Sequence, residues 1–326
     1  MLKYYTICDD SLCLLTNAEI KKDSTNSVWI DIFNPMPEEE KIVENYLQKR
    51  IFNLYQMAPV DNILSPHYQR RGGVYVKASI ISDNKSPIQD LEIILTNDKV
   101  ITLRDTVFHS FQEYLNYVTV NKVDSLTHNS IFINLLESTI DYIEDSLEKI
   151  ACSIDEVSYI TFYAKKSSSP KIRKKKINFT KLIDDLGVSG DLISKNYESL
   201  LSIRRALTFI AEMRPFKMSE KELKRAESLV EDISRLEEEV SIMTDKTNFL
   251  LDVCLGMINI EQNLVTKIVS IAALIFLPPA IIPSIYGMNF INMPELKWHY
   301  GFPYAITLIV LSGVLPYLYC KFRKWL

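Results

Sequence analysis

Between residues 263 and 289 the side chains are sorted by size and polarity. Strides of three and four residues pick out Asn263, Thr266, Ser270, Ala273, Leu277, Ala280, Ser284 and Gly287, all small or polar except Leu277. The adjacent stripe, one residue on, reads Leu264, Lys267, Ile271, Leu274, Pro278, Ile281, Ile285 and Met288, and is bulky almost throughout. Sorting at a repeat of about 3.5 residues belongs to helices that wind around one another. Something lies along the small, polar stripe, and two arrangements satisfy it. Small residues let membrane helices pack closely against a neighbour; alternatively, several copies of the helix surround a narrow, water-filled path that the stripe lines. The same stride extended backwards gives Asn259, Gly256 and Asp252. In a symmetric bundle Asp252 would form a ring of carboxylates at one mouth, as cation pathways use. Tyr286, Gly287, Met288 and Asn289 stand at the other end.

The segment that positions this stripe is long and apolar. Residues 268–285 contain no charge, close to the ~20 residues a membrane-spanning helix needs. A second uncharged run, residues 302–320, ends in Lys321, Phe322, Arg323, Lys324, Trp325 and Leu326. A basic, aromatic tail of this kind marks the cytoplasmic interface. Two spans, about 266–286 and 302–320, then place both ends of the chain in the cytoplasm and only the loop 290–300 outside, in an integral protein of the cell (inner) membrane. No signal peptide is expected, because Asp9 and Asp10 interrupt any apolar core in residues 1–15.

Upstream lies a stalk. Ser219 followed by Glu222 is a capping-box signature, and no proline occurs between Pro215 and Pro278. Residues 219–277 as one helix reach on the order of 90 Å at about 1.5 Å per residue. That exceeds any bilayer, so the helix must run into the cytoplasm, carrying the acidic residues Glu231, Asp232, Glu237, Glu238 and Glu239. Residues 131–165 and 179–213 show helical spacing of apolar side chains. Between them the sequence KKSSSPKIRKKK, residues 165–176, reads either as a solvated hairpin tip or as a basic patch for anionic headgroups or a charged neighbour. Residues 1–125 read as a small α/β domain: a strand at 28–32 broken by Asn34-Pro35, a helix at 38–47, a strand at 74–82 and a hairpin at 91–103 around Asn97-Asp98. The expected division is 1–125, 126–262 and 263–326.

Composition narrows the function classes. The chain has 326 residues, 47% of them hydrophobic, with a formal net charge of -4, which calls for neither nucleic acid nor an acidic substrate. It holds no phosphate loop, no dinucleotide fingerprint and no nucleophile with an obvious base, so no enzyme and no organic cofactor are expected. The five cysteines are scattered and never paired as C-x-x-C, and the four histidines have no ligand partner at metal-site spacing.

Tyr286-Gly287-Met288-Asn289, followed by Met293-Pro294-Glu295-Leu296 and a second span with a basic, tryptophan-containing tail, resembles the CorA family of magnesium channels. Trp29-Ile30-Asp31, the hairpin LEIILTNDKVITLRD and residues 248–263 extend the resemblance along the chain. It implies an α+β cytoplasmic domain, a long stalk helix and two transmembrane helices, assembled as a funnel-shaped homopentamer among membrane lipids. It implies Mg²⁺ as both the transported and the regulatory ion, with Co²⁺ or Ni²⁺ as further cargo.

By the same resemblance, Gly287 and Asn289 make the first contact with the hydrated ion, while Tyr286 and Met288 shape a selectivity entrance beside the outer-loop Glu295. Leu277 falls at an apolar constriction, Asn263 at a polar pore ring and Asp252 at the cytoplasmic acidic ring. Ala280 departs from members with a pore hydroxyl there. Glu231 and Asp232 are the nearest candidates for regulatory carboxylates. Mg²⁺ suits such a pathway because it dehydrates reluctantly and is held through its waters. Two alternatives stand beside this reading: a zinc or other divalent transporter of the same superfamily, and a membrane-anchored stalk or signalling protein that carries no ions.

Overall fold

The computed structural model describes residues 2–8, 11–15, 27–34, 68–70, 73–82, 88–121, 126–163, 177–213, 218–288 and 293–323. The helix expected at 38–47, the basic stretch 165–176 and Asn289 lie outside these. The chain divides into two compact units, Met1–Leu251 and Asp252–Leu326.

The first unit contains a seven-stranded sheet in the order β2-β1-β3-β7-β6-β5-β4. Its strands are β1 (Leu2–Cys8), β2 (Ser11–Leu14), β3 (Trp29–Phe33), β4 (Tyr68–Arg70), β5 (Gly73–Ile81), β6 (Ile88–Leu95) and β7 (Val100–Arg104). All neighbours pair antiparallel except β3 with β7. The β6–β7 hairpin turns at Asn97-Asp98, where Thr96 Oγ1 accepts from Lys99 N at 3.0 Å and its own hydroxyl reaches Asp98 Oδ1 at 3.1 Å. Asn34, with φ 46°, ends β3 in the left-handed region that asparagine tolerates better than most residues.

The sheet face carrying Trp29 packs on α1 (His109–Val120), with Trp29 against Phe111 and Tyr114 at ring separations of 6.3 Å. Beneath that contact Asp31, 1% exposed, accepts two hydrogen bonds from Arg104, from Nη2 at 2.8 Å and Nε at 3.0 Å, and a third from Thr102 Oγ1 at 2.8 Å. Thr102 in turn accepts from Trp29 Nε1 at 3.0 Å. Removing one member of such a pair strands the other charge in the core and costs about 3–5 kcal/mol. The network holds the parallel β3–β7 pair in register.

Opposite Lys77 and Leu103 in the sheet lies Glu92. Lys77 is engaged by Asp90 at 2.7 Å, and burial pushes the Glu92 carboxyl from the usual 4.5 up to about 7; Lys77 opposes the rise while Asp90 and Asp105 add to it. Between those pH values the folded chain holds a proton that the unfolded chain has lost, so stability falls as pH rises through the window. The linkage is on the order of 3 kcal/mol. Glu92→Gln is expected to raise the melting temperature at pH 7.5 and to flatten its pH dependence between about 4.5 and 7. A thermal melt series on both proteins checks this, and parallel profiles would refute it.

Three long helices complete the unit: α2 (His128–Tyr163), α3 (Phe179–Met213) and the first half of α4 (Glu220–Tyr286). Serines on α3 accept from the open edge of β5, Ser202 Oγ from Ser79 N at 2.8 Å and Ser199 Oγ from Ile81 N at 3.0 Å. Edge N–H groups that would otherwise lie unpaired are thereby satisfied. The α4 start is a capping box: Ser219 N donates to Glu222 Oε2 at 2.7 Å and Glu222 N to Ser219 Oγ at 3.2 Å. Ion pairs Arg225–Glu137, Lys246–Asp155 and Arg204–Glu237, with Phe162 stacked on Phe249, bind the flanking helices along it. With 67 residues, α4 contains on the order of 100 Å of helix at about 1.5 Å per residue.

Candidate functional site

The second unit holds the remainder of α4, a 3-10 turn at Pro294–Lys297 and α5 (Gly301–Phe322). Among the described residues, helices α4 and α5 are the two that are long and apolar enough to cross a membrane. The less exposed side chains of α4 recur on one face: Ile271 is buried, and Ile275, Pro279, Ile282 and Tyr286 are half-buried. On α5 the corresponding face is Ala305, Ile309, Ser312, Gly313, Pro316 and the buried Cys320. The two faces meet at Gly313, where a Cβ would lie 3.2 Å from Pro279 Cγ and 3.7 Å from Ile275 O.

The small, polar stripe lies elsewhere on the same helix. Asp252, Gly256, Asn259, Asn263, Thr266, Ser270, Ala273, Leu277, Ala280, Ser284 and Gly287 are all exposed in the single chain. At about 100° of rotation per residue, Pro279 stands roughly 140° around α4 from the middle of the stripe. The second span therefore packs against the back of α4. Of the two arrangements the sequence leaves open, close packing of the stripe on a helix is not supplied by α5.

The stripe presents oxygen. Ser284 Oγ donates to Ala280 O at 2.9 Å, so its hydrogen is committed to the helix and its lone pairs remain as acceptors. Leu277, 63% exposed, is the bulky member. At the C-terminal end of α4 Gly287 N donates to Pro283 O at 2.9 Å and Met288 N to Ile285 O at 3.2 Å, closing the helix. Tyr286 is half-buried, Gly287 and Met288 are exposed, and the amide expected at position 289 follows outside the described residues.

The chain then returns through Glu295, itself exposed. A Cβ on Gly301 would come within 2.2 Å of Glu295 O, so only glycine lets α5 start there. Trp298 packs edge-on against Tyr300 and Tyr304 at ring separations of 6.2 and 5.7 Å, an aromatic cluster of the kind that anchors spans at a bilayer surface.

The acidic residues on the N-terminal half of α4 are partly neutralised within the chain. Glu237 pairs with Arg204 and Asp232 with Arg235, while Glu231, Glu238 and Glu239 are exposed without a hydrogen bond or ion pair among the described residues. Asp232 also acts on α2. Burial, together with the charges of Glu137, Glu144, Asp145 and Asp232, pushes the Asp141 carboxyl above its ordinary range. Among the described residues no cluster of three or more His, Cys, Asp or Glu side chains converges on a metal-sized site. Asp141, Gly301 and Gly313 carry no signal in the sequence. The first needs knowledge of which helix faces α4, and the glycines are visible only once α5 is seated.

The sequence profile of the family described as CorA-like Mg²⁺ transporter protein matches residues 25–324. The chain is 27% identical over 303 residues to the magnesium transport protein CorA of Mannheimia succiniciproducens, covering 92% of each. It is 26% identical over 318 residues to the protein of that name from Escherichia coli K12, covering 96% of each. Among solved structures it is similar to the complete CorA magnesium transporter of Methanocaldococcus jannaschii, with a TM-score of 0.71 at 17% identity, covering 100% of this chain and 99% of that one.

Proposed function

The chain belongs to the CorA-like Mg²⁺ transporter family, and from that premise we propose that the stripe on α4 is the wall of its Mg²⁺ pathway. The chain is a membrane transport protein for Mg²⁺. Five copies arranged with their α4 stripes inward enclose a pore, with Asp252, Asn259, Asn263, Thr266, Ser270, Ala273, Leu277, Ala280 and Ser284 along it. Tyr286, Gly287, Met288 and Asn289 form the outer entrance, and Glu295 stands in the loop beside it. Both termini lie in the cytoplasm and the membrane is the inner membrane, consistent with the basic tail. Residues 1–125 and 126–262 form the cytoplasmic part and 263–326 the membrane part.

The observation that carries this reading is the side of α4 that α5 takes. Polar residues turned to lipid are costly, yet α5 packs against Ile275 and Pro279 and leaves Asn263, Thr266, Ser270 and Ser284 uncovered. A ring of copies around water resolves the conflict. Transport then needs no nucleotide: an inside-negative potential contributes about 4.6 kcal/mol per 100 mV for a divalent ion, twice the single-charge value. Passive uptake follows, and internal Mg²⁺ acts back on the carboxylates at Glu231 and Asp232.

Cysteine accessibility tests the lining. In a background with the five native cysteines replaced, cysteines at Thr266, Ser270, Ala273 and Ser284 are expected to react with water-soluble thiol reagents at least about tenfold faster than those at Ile271, Leu274 and Ile281, which face α5 or lipid. Equal rates on both faces would leave the stripe as a helix contact. Flux of Mg²⁺, Co²⁺, Ni²⁺ and Zn²⁺ into liposomes, each metal alone, separates a magnesium pathway from a zinc pathway and from a protein that moves no ions.

A further inference from the structure

Each proline inside a helix lacks an N–H and leaves the carbonyl four residues earlier without its intrahelical donor. Pro278, Pro279 and Pro283 all lie inside α4, which removes the donors for the carbonyls of Leu274, Ile275 and Pro279. Leu277 and Ala280 sit within that weakened stretch. Proline-interrupted membrane helices take the shape that their packing neighbours impose.

The neighbour here is Gly313. It lets the α5 backbone close onto Pro279 Cγ and the Ile275 carbonyl, while the adjacent Ser312 hydroxyl is already donated within α5, to Ile309 O at 2.8 Å. The remaining half-buried positions on that face of α5 include larger side chains, Ile309 and Pro316. Gly313 thus places a close approach at the level of the weakened segment, on the side of α4 away from the stripe. Added bulk at 313 presses on Pro279 and moves the opposite side of α4 toward whatever the stripe encloses.

We propose that Gly313 is a positioning residue for transport: its missing side chain sets how far α5 stands from the proline-weakened part of α4, and so how far Leu277 projects into the pathway. This rests on the reading of the stripe as the pore wall.

The test uses full-length protein in liposomes, with single cysteines at Ala280 or Ala273, on either side of Leu277, and a membrane-impermeant thiol reagent added to the face on which the Tyr286–Asn289 end opens. Gly313→Ala is expected to lower Mg²⁺ flux per assembled oligomer and the reaction rate at Ala273→Cys by about fivefold, the scale of forcing one methyl group into a packed contact. The rate at Ala280→Cys, reached before Leu277, is expected to stay within about twofold. Pro279→Ala, which removes the Cγ that the new methyl meets, is expected to restore both quantities in the double variant. Gly313→Val extends the series with a larger loss. A purely structural role would reduce the amount of assembled protein while leaving flux per oligomer and the ratio of the two reaction rates unchanged, and that result overturns the inference. Reactive cysteines insensitive to residue 313 overturn it alone; cysteines at 273 and 280 unreactive even with Gly313 in place overturn the pore reading and this inference together.

Discussion

Asn289→Ala is expected to reduce Mg²⁺ flux into liposomes by at least about 100-fold while the protein still assembles. Mg²⁺ gives up its waters reluctantly, so the entrance must hold the hydrated ion by accepting hydrogen bonds from the water shell. An amide carbonyl does this and a methyl group cannot. Hydrogen bonds involving charged partners are worth about 1.5–3 kcal/mol each, and loss of two across a symmetric ring corresponds to about a factor of 100 or more. The change follows the residues that close α4, Gly287 and Met288, and leaves their backbone hydrogen bonds in place. Asn289→Asp keeps the acceptors and adds charge, so it should retain ion binding but slow release, with flux between the two. Wild-type flux through a correctly assembled Asn289→Ala protein would remove the role assigned to that side chain.

The parts of the fold that repeat along the chain were legible in the sequence. The stripe declared itself because size and polarity alternate over many turns of one helix. The capping box at Ser219 and Glu222 and the hairpin at Asn97-Asp98 are local, each set by residues within three or four positions of one another, and the structure forms both. Contacts between distant residues were not legible. Asp31 and Arg104 are 73 residues apart, and nothing in either strand says that an aspartate and an arginine meet under a tryptophan. The pairing of β1 with β2 was hidden for another reason: Asp9 and Asp10 read only as an interruption of an apolar stretch, while the strands on either side pair antiparallel from Cys8 and Ser11.

The acidic run on α4 shows the limit from the other side. Read along the sequence, Glu231, Asp232, Glu237, Glu238 and Glu239 are one charge cluster. In the fold they face different neighbours: Glu237 turns to Arg204 on α3 and Asp232 to Arg235 on its own helix. The exposed Asp232–Arg235 pair is worth little and leaves Asp232 close enough to raise the Asp141 carboxyl. The carboxylates not held by a strong partner among the described residues are thus Glu231, Glu238, Glu239 and the weakly held Asp232.

Leu277→Gly is the second large effect expected, a rise of at least about tenfold in Mg²⁺ flux at high internal Mg²⁺, where the wild type should be nearly closed. A ring of leucines narrows and dries a pathway, and apolar constrictions gate by dewetting. Glycine removes the plug without adding charge. The same reasoning ties the plug to the cytoplasm. Like charges 4 Å apart repel by about 1 kcal/mol in water and about 4 kcal/mol near a protein surface, and a divalent ion between them reverses the sign. On the proposed reading, bridges at Glu231, Asp232 and their neighbours would hold the stalks together at high internal Mg²⁺ and keep the Leu277 ring small; as the ion fell, the bridges would empty and the ring would wet. Limited proteolysis of the cytoplasmic part should therefore slow as Mg²⁺ is raised through about the millimolar range of weak carboxylate sites. Glu231→Lys with Asp232→Lys should remove most of the Mg²⁺ dependence of that protection, because lysines facing the remaining carboxylates substitute for the ion. Leu277→Gly should keep the Mg²⁺ dependence of proteolysis while losing that of flux, since it alters the plug and not the sensor. Proteolysis indifferent to Mg²⁺ would return the acidic residues to a solvated helix face, and unchanged flux in assembled Leu277→Gly would place the constriction at another level of α4.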